Sequence, residues 1–412
     1  MAGARKDHKG RVLLKGESYR EAEKRYQYAY IDSSGKKKYI YSKDLIKLRK
    51  REEQLLRDRM EGIDSAKAKK QTLNNMFDKY MSTRHDLTER TRAGYMYQYD
   101  AYVRDTIGRR KINDIKYSDV LVFYLNLMEE FELSFGTIER MQRELYPTFE
   151  MAVRDNIIRN NPAHNVLRQL KRQSGAERGI RKALLVEQQT SFINFLDGHI
   201  VYDHWKPIFI ILLGTGLRVG ELCALRWEDI DFESRMITID HALIYFAGKK
   251  NKSGQRLFIS KPKTQAGVRK VPMVDEVVKA FYEIKDYQQC NDLVCKSEID
   301  GYTNFVFLNR FGNVFVQYNL DRALERIIKA HNEYAMKTDK KNSVQVILPH
   351  FTCHSLRHTF CARLCEHETN IKVIQSIMGH VDIETTMNIY AEVSEEKKKA
   401  SLDRLASNLH LF

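Results

Sequence analysis

The stretch HSLRH places His354, Arg357 and His358 within five residues of one another. Histidines four residues apart share one face of a helix, where they could bind a metal ion. Zinc hydrolases of this spacing use a glutamate after the first histidine as general base, and Ser355 occupies that position. The stretch therefore favours another use, in which a guanidinium and an imidazole hold a phosphate. A structural metal site that adds a nearby cysteine, such as Cys361, is the alternative.

Two other stretches carry side chains that suit the same chemistry. TGLRVGELCALRWEDID, residues 215–231, places Arg218 and Glu221 at the beginning of a predicted helix, just after a Thr-Gly turn. MGHVDIETTMNIY contains His380 and ends at Tyr390. An arginine that pairs with a neighbouring carboxylate on the surface is the simpler interpretation of Arg218, so this stretch alone does not define a site.

A fourth stretch, SKPKTQAGVRKVPM, supplies lysines near a predicted hairpin turn. Lys263 is the candidate for a proton donor at this turn. Lys261, Arg269 and Lys270 lie close enough in the chain to take its place. The sequence alone does not choose among these four cations.

Together these residue types meet the requirements of phosphodiester cleavage. Charge builds up on the phosphate oxygens as a nucleophile attacks, so fixed cations stabilise the transition state most. A tyrosine has a pKa near ~10, so it needs a base or a positive field to attack at neutral pH. An alkoxide leaving group needs an acid. Arginines, histidines and a lysine can do this without a metal ion or another cofactor.

In their order along the chain, these motifs resemble those of the tyrosine recombinase (phage-type integrase) family. The resemblance covers residues 180–395 and rests on the separate Arg, Lys, HxxR, GH and Tyr motifs. The opening RKDHKGRVLLKGES, a tyrosine-rich hairpin and the total length further resemble integrases of conjugative transposons. The expected activity is integration and excision of a mobile element.

The resemblance implies a role for each candidate residue. Tyr390 would be the nucleophile that forms a 3′-phosphotyrosyl link to DNA. His354 would assist proton transfer at the tyrosine, and Lys263 would protonate the departing 5′-oxygen.

For the phosphate itself, the resemblance implies that Arg218 and Arg357 hold the nonbridging oxygens. His380 would donate a hydrogen bond to the phosphate, and Glu221 would support the first arginine.

Sequence patterns outside these motifs predict a multidomain α+β protein. Residues 24–42 alternate as a β-hairpin does, and RVLLKG could add a third strand beside it. Helical spacing follows in the next hundred residues, and short strands such as RMITIDHALIYF, RLFISKPKT and VRKVPM interrupt the helices after them. The expected fold is a small N-terminal three-stranded sheet with a helix, an all-α core-binding bundle, and a mainly helical catalytic domain with short antiparallel strands.

These patterns and the resemblance together predict five segments. They are an arm-type DNA-binding domain at 1–70, a helical core-binding domain at 71–170, a basic linker at 171–182, a catalytic domain at 183–395 and a tail helix at 396–412. In the tail, Leu402, Leu405, Leu409 and Phe412 form an apolar stripe that needs a groove to cover it. The resemblance favours a neighbouring protomer as the source of that groove, and the chain's own catalytic domain is the alternative.

Composition agrees with a polyanionic partner. The net charge is +15, with a sequence pI near 9.3, and residues 1–70 alone hold 21 Lys and Arg against 11 Asp and Glu. The chain has 6 scattered cysteines, no secretory signal and no apolar run of about 18 residues. It is therefore expected in the cytoplasm, and the resemblance implies a bacterial protein associated with the nucleoid.

The expected partners are double-stranded DNA at core-type and arm-type sites, and three further copies of the chain in a homotetramer. The resemblance also suggests an excisionase and a DNA-bending protein, and no membrane is expected. The sequence leaves two other functions open. A type IB topoisomerase would use the same nucleophile, and a non-catalytic DNA-binding repressor could retain the same fold.

Overall fold

The computed structural model divides the chain into two compact units, Met1–Gly179 and Ile180–Phe412. The described residues are 5–31, 35–60, 71–175, 183–246, 250–251, 254, 256–262, 267–337, 346–368, 370–380 and 382–391. Among them, only the backbone is described at 58–60, 385, 388, 390 and 391. Lys263, the tail 396–412 and most of the predicted linker lie outside the described residues.

A three-stranded antiparallel sheet and one helix form the N-terminal part of the first unit. They are β1 (Glu17–Arg20), β2 (Arg25–Ile31), β3 (Lys37–Ser42) and α1 (Leu45–Met60). The hairpin predicted from the alternating tyrosines is β2–β3. The prediction of a strand at RVLLKG is wrong, and the third strand is β1, which follows this stretch. The chain turns at Gly16, whose φ is +93°, and only the residues after this turn pair with β2.

The two faces of this sheet differ in character. Tyr26 is buried with Leu45 and Leu48 between the sheet and α1. Tyr41 pairs with the residue after Tyr26 and therefore lies on the opposite face. There the Arg25 guanidinium lies 4.1 Å from the centre of the Tyr41 ring. The face away from the helix is thus both aromatic and basic.

Among the described residues of the first unit, five helices follow and enclose a core of their own. They are α2 (Leu73–Thr83), α3 (Glu89–Tyr102), α4 (Tyr117–Glu130), α5 (Phe135–Arg154) and α6 (Val166–Ser174). Hydroxyl groups cap three of the helices: Thr72, Thr88 and Ser134 each accept a backbone N–H from the first turn. The predicted linker 171–182 begins inside α6.

One carboxyl group lies inside this helical core. Glu144, on α5, is fully buried, and neither of its oxygens has a hydrogen-bond partner among the described residues. Burial raises the pKa of Glu144 to about 9. The side chain is therefore protonated at neutral pH, and its polar atoms destabilise the folded unit.

In its described residues, the second unit is mainly helical, with two small antiparallel sheets. Its helices are α7 (Val186–Leu196), α8 (Lys206–Thr215), α9 (Val219–Ala224), α10 (Asp275–Cys290), α11 (Gln317–Lys337), α12 (Cys353–His367), α13 (Ile371–Met378) and α14 (Ile383–Ala391). Its strands are β4 (Ile230–Asp231), β5 (Met236–Ile239), β6 (Ala242–Tyr245), β7 (Leu257–Ser260) and β8 (Arg269–Pro272). One sheet has the order β4-β5-β8 and the other pairs β6 with β7.

The apolar helix α8 lies at the centre of this unit, where it packs against α10 and α12. Strand β8 contacts α13, and α14 packs on both α12 and α13. The ends of α8, β8 and α13 therefore meet near α12. The two units thus agree with the predicted α+β class, since a three-stranded sheet, a helical block and a mainly helical part with short strands are all present.

No helix in the described part of the chain is long and apolar enough to cross a membrane.

We expect the substitution Glu144→Met to stabilise the first unit by about 1–3 kcal/mol at pH 7, because it removes buried polar atoms without partners. The folded pKa of Glu144, about 9, exceeds the ordinary value of 4.5, so stability of the wild type falls as pH rises between these values. The variant loses this dependence. Hydrogen exchange of the α5 amides in the full chain measures both effects. The exposed Glu129→Met is the control, and a Glu144→Met chain no more stable than this control at pH 7 would contradict the prediction.

Candidate active site

The first arginine of the site is held by a tight turn at the end of α8. Gly216 has a φ of +63°, which ends the helix in the left-handed conformation. A Cβ atom at this position would lie 2.3 Å from Cδ1 of Phe360 on α12, so only glycine fits. The turn leads directly into α9, and Arg218 precedes its first residue.

Glu221 and Arg218 hold each other across the first turn of α9. The Glu221 carboxylate accepts the Arg218 backbone N–H at 2.9 Å and the Arg218 Nη1 at 2.7 Å. The second terminal nitrogen, Nη2, donates to the carbonyl oxygen of Gly379 at 2.8 Å. The Arg218 side chain is 40% exposed, whereas that of Glu221 is 8% exposed. The Arg218 guanidinium therefore binds a buried carboxylate and is still accessible to solvent.

Arg357 lies on α12, and the predicted helix around HSLRH is present. Only 3% of this arginine is exposed. Its two terminal nitrogens donate to the carbonyl oxygens of Gly216 and Met378. Arg357 therefore joins the turn that carries Arg218 to the end of α13.

A third arginine joins this cluster from β8. Arg269 donates from Nη2 and Nη1 to the two oxygens of Glu221, at 2.8 Å and 3.1 Å. Its Nε donates to the carbonyl oxygen of Ile377 at 2.8 Å. Because the guanidinium is 4% exposed and forms these hydrogen bonds, Arg269 is unsuited to the acid role left open for it. Sequence alternation in VRKVPM would have indicated a buried side chain here.

The arginines converge on the carboxyl end of α13. The last carbonyl groups of a helix have no partner within the helix, and the helix dipole makes that end negative. Ile377, Met378 and Gly379 each present a carbonyl oxygen to a different arginine. We call these three arginines with Glu221 the arginine cluster.

Charge in the arginine cluster is unbalanced, with three guanidinium groups around one carboxylate. Burial would raise the pKa of Glu221, but the hydrogen bonds and charge of Arg269, together with Arg218, lower it to about 2. Burial and the neighbouring Arg218 lower the pKa of Arg357 to about 9, although Glu221 opposes this. The excess positive charge favours an anion at the exposed side of the cluster.

His380 follows this turn and lies beside the arginines. It is buried, and its Nδ1 lies 2.9 Å from Oγ1 of Thr386, which is fully buried on α14. Burial, followed by the charges of Arg357, Arg218 and Arg269, lowers the pKa of His380 to about 4. The imidazole is therefore neutral at pH 7. Thr386 was not among the predicted site residues, and no sequence signal distinguishes it from its neighbour Thr385.

The other predicted site residues are described to different extents. His354 is exposed on α12, one helical turn before Arg357, and its charge helps to lower the pKa of His380. Tyr390 lies on α14, one turn after Thr386, with its backbone described. Lys263 lies outside the described residues, between β7 and β8. Thus the structure brings together the predicted arginines, glutamate and histidines.

The described residues include one group of three potential metal ligands, Asp229, Asp240 and His241. His241 contacts Asp240 and the carbonyl oxygen of Ala224, and Asp229 is bound by Arg226. These hydrogen bonds account for the group as a structural ion-pair network. It includes neither His354 nor His358, which the sequence had suggested as alternative metal ligands.

Family models match both ends of the chain. Residues 182–397 match the phage integrase family. Residues 1–66 match the DNA-binding domain of Tn916 integrase. The first match contains all of the arginine cluster, and the second contains β1, β2 and β3.

Curated relatives match along nearly the whole chain. The transposase from transposon Tn916 of Enterococcus faecalis is 34% identical over 418 residues, which span 98% of this chain and 97% of the relative. The transposase from transposon Tn1545 of Streptococcus pneumoniae matches with the same identity and coverage. The similarity therefore extends well beyond the catalytic motifs.

Solved structures agree with these relatives. The Tn1549 transposon integrase, in complex with a circular intermediate DNA, has a TM-score of 0.70 and is 32% identical, covering 81% of this chain and 99% of that one. A lambda integrase dimer bound to a COC′ core site shares the fold, with a TM-score of 0.51 at 17% identity, over 78% of this chain and 95% of that one. The chain belongs to the phage integrase family of tyrosine recombinases, the enzymes that cleave and rejoin DNA strands.

Proposed function

We propose that this protein is the site-specific integrase of a mobile element and that it cuts DNA by forming a covalent bond to Tyr390. The relatives named for Tn916 and Tn1545, and the Tn1549 integrase bound to a circular intermediate, support a mobile-element role. The observation that carries the proposal is the arginine cluster, which gathers three cations around one carboxylate.

A phosphodiester fits the exposed side of this cluster. Arg218 and Arg357 are already oriented by carbonyl groups, so they need little reorganisation when a phosphate arrives. Negative charge on the nonbridging oxygens increases as the nucleophile attacks, and the guanidinium groups stabilise that charge. Losing one such donor costs about 100- to 1,000-fold in rate.

In the proposed reaction, the Tyr390 oxygen attacks phosphorus and the bond from phosphorus to the 5′-oxygen breaks. The products are a 3′-phosphotyrosyl bond and a 5′-hydroxyl group. A 5′-hydroxyl of the partner duplex then attacks the phosphotyrosyl bond and releases the tyrosine. The number of phosphoester bonds is conserved, so rejoining needs no nucleotide.

Protons move through the remaining residues of the proposed site. His354 takes the phenolic proton of Tyr390, and Lys263 donates a proton to the departing 5′-oxygen. His380 donates a hydrogen bond from Nε2 to a nonbridging oxygen. This role requires Nδ1 to be an acceptor, and the Thr386 hydroxyl is the donor that lies beside it.

Binding of DNA involves both units in this proposal. The aromatic and basic face of the N-terminal sheet, with Arg25 over Tyr41, contacts arm-type sites within a domain at 1–70. The helical domain 71–170, the linker 171–182 and the catalytic domain 183–395 hold core-type sites. Four copies act together on two duplexes, with an excisionase and a DNA-bending protein setting direction, and the protein works at the bacterial nucleoid.

We expect Tyr390→Phe to abolish covalent adducts on a nicked suicide duplex while DNA binding is retained, because only the nucleophilic oxygen is removed. Denaturing gel electrophoresis measures the adduct, and a gel shift measures binding. Tyr282→Phe, at an exposed position on α10, is the control. Adducts that persist in Tyr390→Phe would assign the nucleophile to another residue.

We expect Thr386→Val to slow adduct formation by about 10- to 100-fold, the range for partners that orient a functional imidazole. Valine keeps the volume of the side chain but removes the hydroxyl that donates to Nδ1 of His380. Thr386→Ser retains this hydroxyl and is the control. Single-turnover rates at pH 7 measure the effect. Equal rates for the valine and serine variants would show that the hydroxyl does not orient His380.

Deletion of residues 396–412 tests the tetramer. If the apolar stripe of the tail docks on a neighbouring copy, the truncated chain binds a single core site normally but exchanges no strands between two duplexes. Recombination on paired attachment sites, compared with a gel shift on one site, measures both properties. Unchanged recombination after truncation would refute the exchange of tails.

A further inference from the structure

Arg269 has a place in the site that none of the assigned roles explains. It lies on β8, in the sheet β4-β5-β8, and its side chain is only 4% exposed, whereas that of Arg218 is 40% exposed. Of the three arginines, it is the one that binds Glu221 through two parallel hydrogen bonds. Such a bidentate pair is the strongest arrangement available to an arginine and a carboxylate.

Glu221 has four donors around its two oxygens. Two come from Arg269, one from the Arg218 side chain and one from the Arg218 backbone. The Glu221 side chain is 8% exposed, so water contributes little to the solvation of its carboxylate. Its single negative charge is therefore divided between two guanidinium groups.

The consequences of removing Arg269 follow from this division. Glu221 would then pair with Arg218 alone, and one buried carboxylate would neutralise the arginine that faces the phosphate. With Arg269 present, this buried arginine balances most of the negative charge of Glu221. Arg218 therefore keeps its attraction for an anion.

We infer that Arg269 is a positioning residue that neutralises Glu221 so that Arg218 remains available to the scissile phosphate. The inference rests on the proposed function of Arg218. A second contact supports it, because Arg269 Nε also holds the carbonyl oxygen of Ile377, at the end of α13 that carries the partners of Arg218 and Arg357. Arg269 thus sets both the charge and the geometry of the phosphate-binding pair without touching the phosphate.

The test compares Arg269→Met, Glu221→Gln and the double variant in single-turnover adduct formation on a nicked suicide duplex. We expect adduct formation by Arg269→Met to be about 100-fold slower than by wild type. Glu221 then neutralises Arg218, which is equivalent to losing one donor to the transition state. In the double variant no carboxylate neutralises Arg218, so this arginine again attracts the phosphate. The rate of adduct formation therefore rises at least about 10-fold above that of Arg269→Met. A residue with only a structural role predicts a double variant no faster than Arg269→Met, and that result would overturn the inference.

The pH dependence of the same variants gives a second readout. Arg269 and Arg218 are the groups that lower the pKa of Glu221 to about 2, so its pKa rises once Arg269 is replaced. As pH falls towards that raised pKa, Glu221 binds a proton and releases Arg218. The rate of Arg269→Met divided by that of wild type therefore increases as the pH is lowered from 8 to about 5.5, whereas the same ratio for the double variant stays flat. A flat ratio for Arg269→Met would also overturn the inference.

Two controls separate this inference from loss of folding and from failure of the proposed function. Arg226→Met removes an arginine from another ion pair of the same unit, with Asp229 at 2.9 Å, and keeps the wild-type rate. If Arg269→Met melts several degrees lower than Arg226→Met, Arg269→Gln takes its place, since its amide retains a hydrogen bond to Glu221. Wild-type chain that forms no adduct would refute the proposed function, whereas normal wild-type adducts with no rescue refute only the role of Arg269.

Discussion

Three guanidinium groups hydrogen-bond the last carbonyl groups of one short helix, and two of them, those of Arg218 and Arg269, also bind the carboxylate of Glu221. Cations of this kind repel one another, so they stay together only where fixed negative partners surround them. Ile377, Met378 and Gly379 provide three such partners in consecutive residues, and Glu221 provides the charge. The carboxyl end of α13 is thus the point to which all three arginines are attached.

This arrangement explains the unusual electrostatics around it. The pKa of Arg357 falls to about 9 because burial leaves its charge poorly solvated beside Arg218. The pKa of His380 falls to about 4 for the same reasons, burial and neighbouring positive charge. Both shifts oppose further positive charge, and an anion in the site would relieve both. The cluster is therefore organised for an anion before any anion is bound.

Packing of the second unit decides where the arginines point. Arg218 follows a turn whose glycine has no room for a Cβ atom beside Phe360 on α12, and Arg357 lies one turn before that phenylalanine. Helix α8 is apolar on most sides and lies against both α10 and α12, so the turn at its end has little freedom. A core of ordinary aliphatic and aromatic side chains thus fixes the distance between two cations that are far apart in the chain.

The sequence by itself determined the elements and the chemical types. Alternating tyrosines specified the β2–β3 hairpin, helical spacing specified the bundle, and the order of the motifs led to the arginines, the histidines and Tyr390. Local patterns carry this information because strand and helix periodicity are properties of neighbouring residues. The short strand β1 was not predicted, because the preceding RVLLKG has the stronger apolar pattern. RVLLKG ends in the turn at Gly16 and does not form the third strand.

Only the tertiary structure decided which cations act together. Arg269 is separated from Glu221 by 48 positions and from Ile377 by 108, so no local pattern reveals that it binds both. The partner of His380 is likewise a hydroxyl on the next helix, chosen by how α13 and α14 pack. Hydrogen bonds between distant residues depend on the packing of whole elements, whereas residue type and local spacing say only which side chains are available to form them.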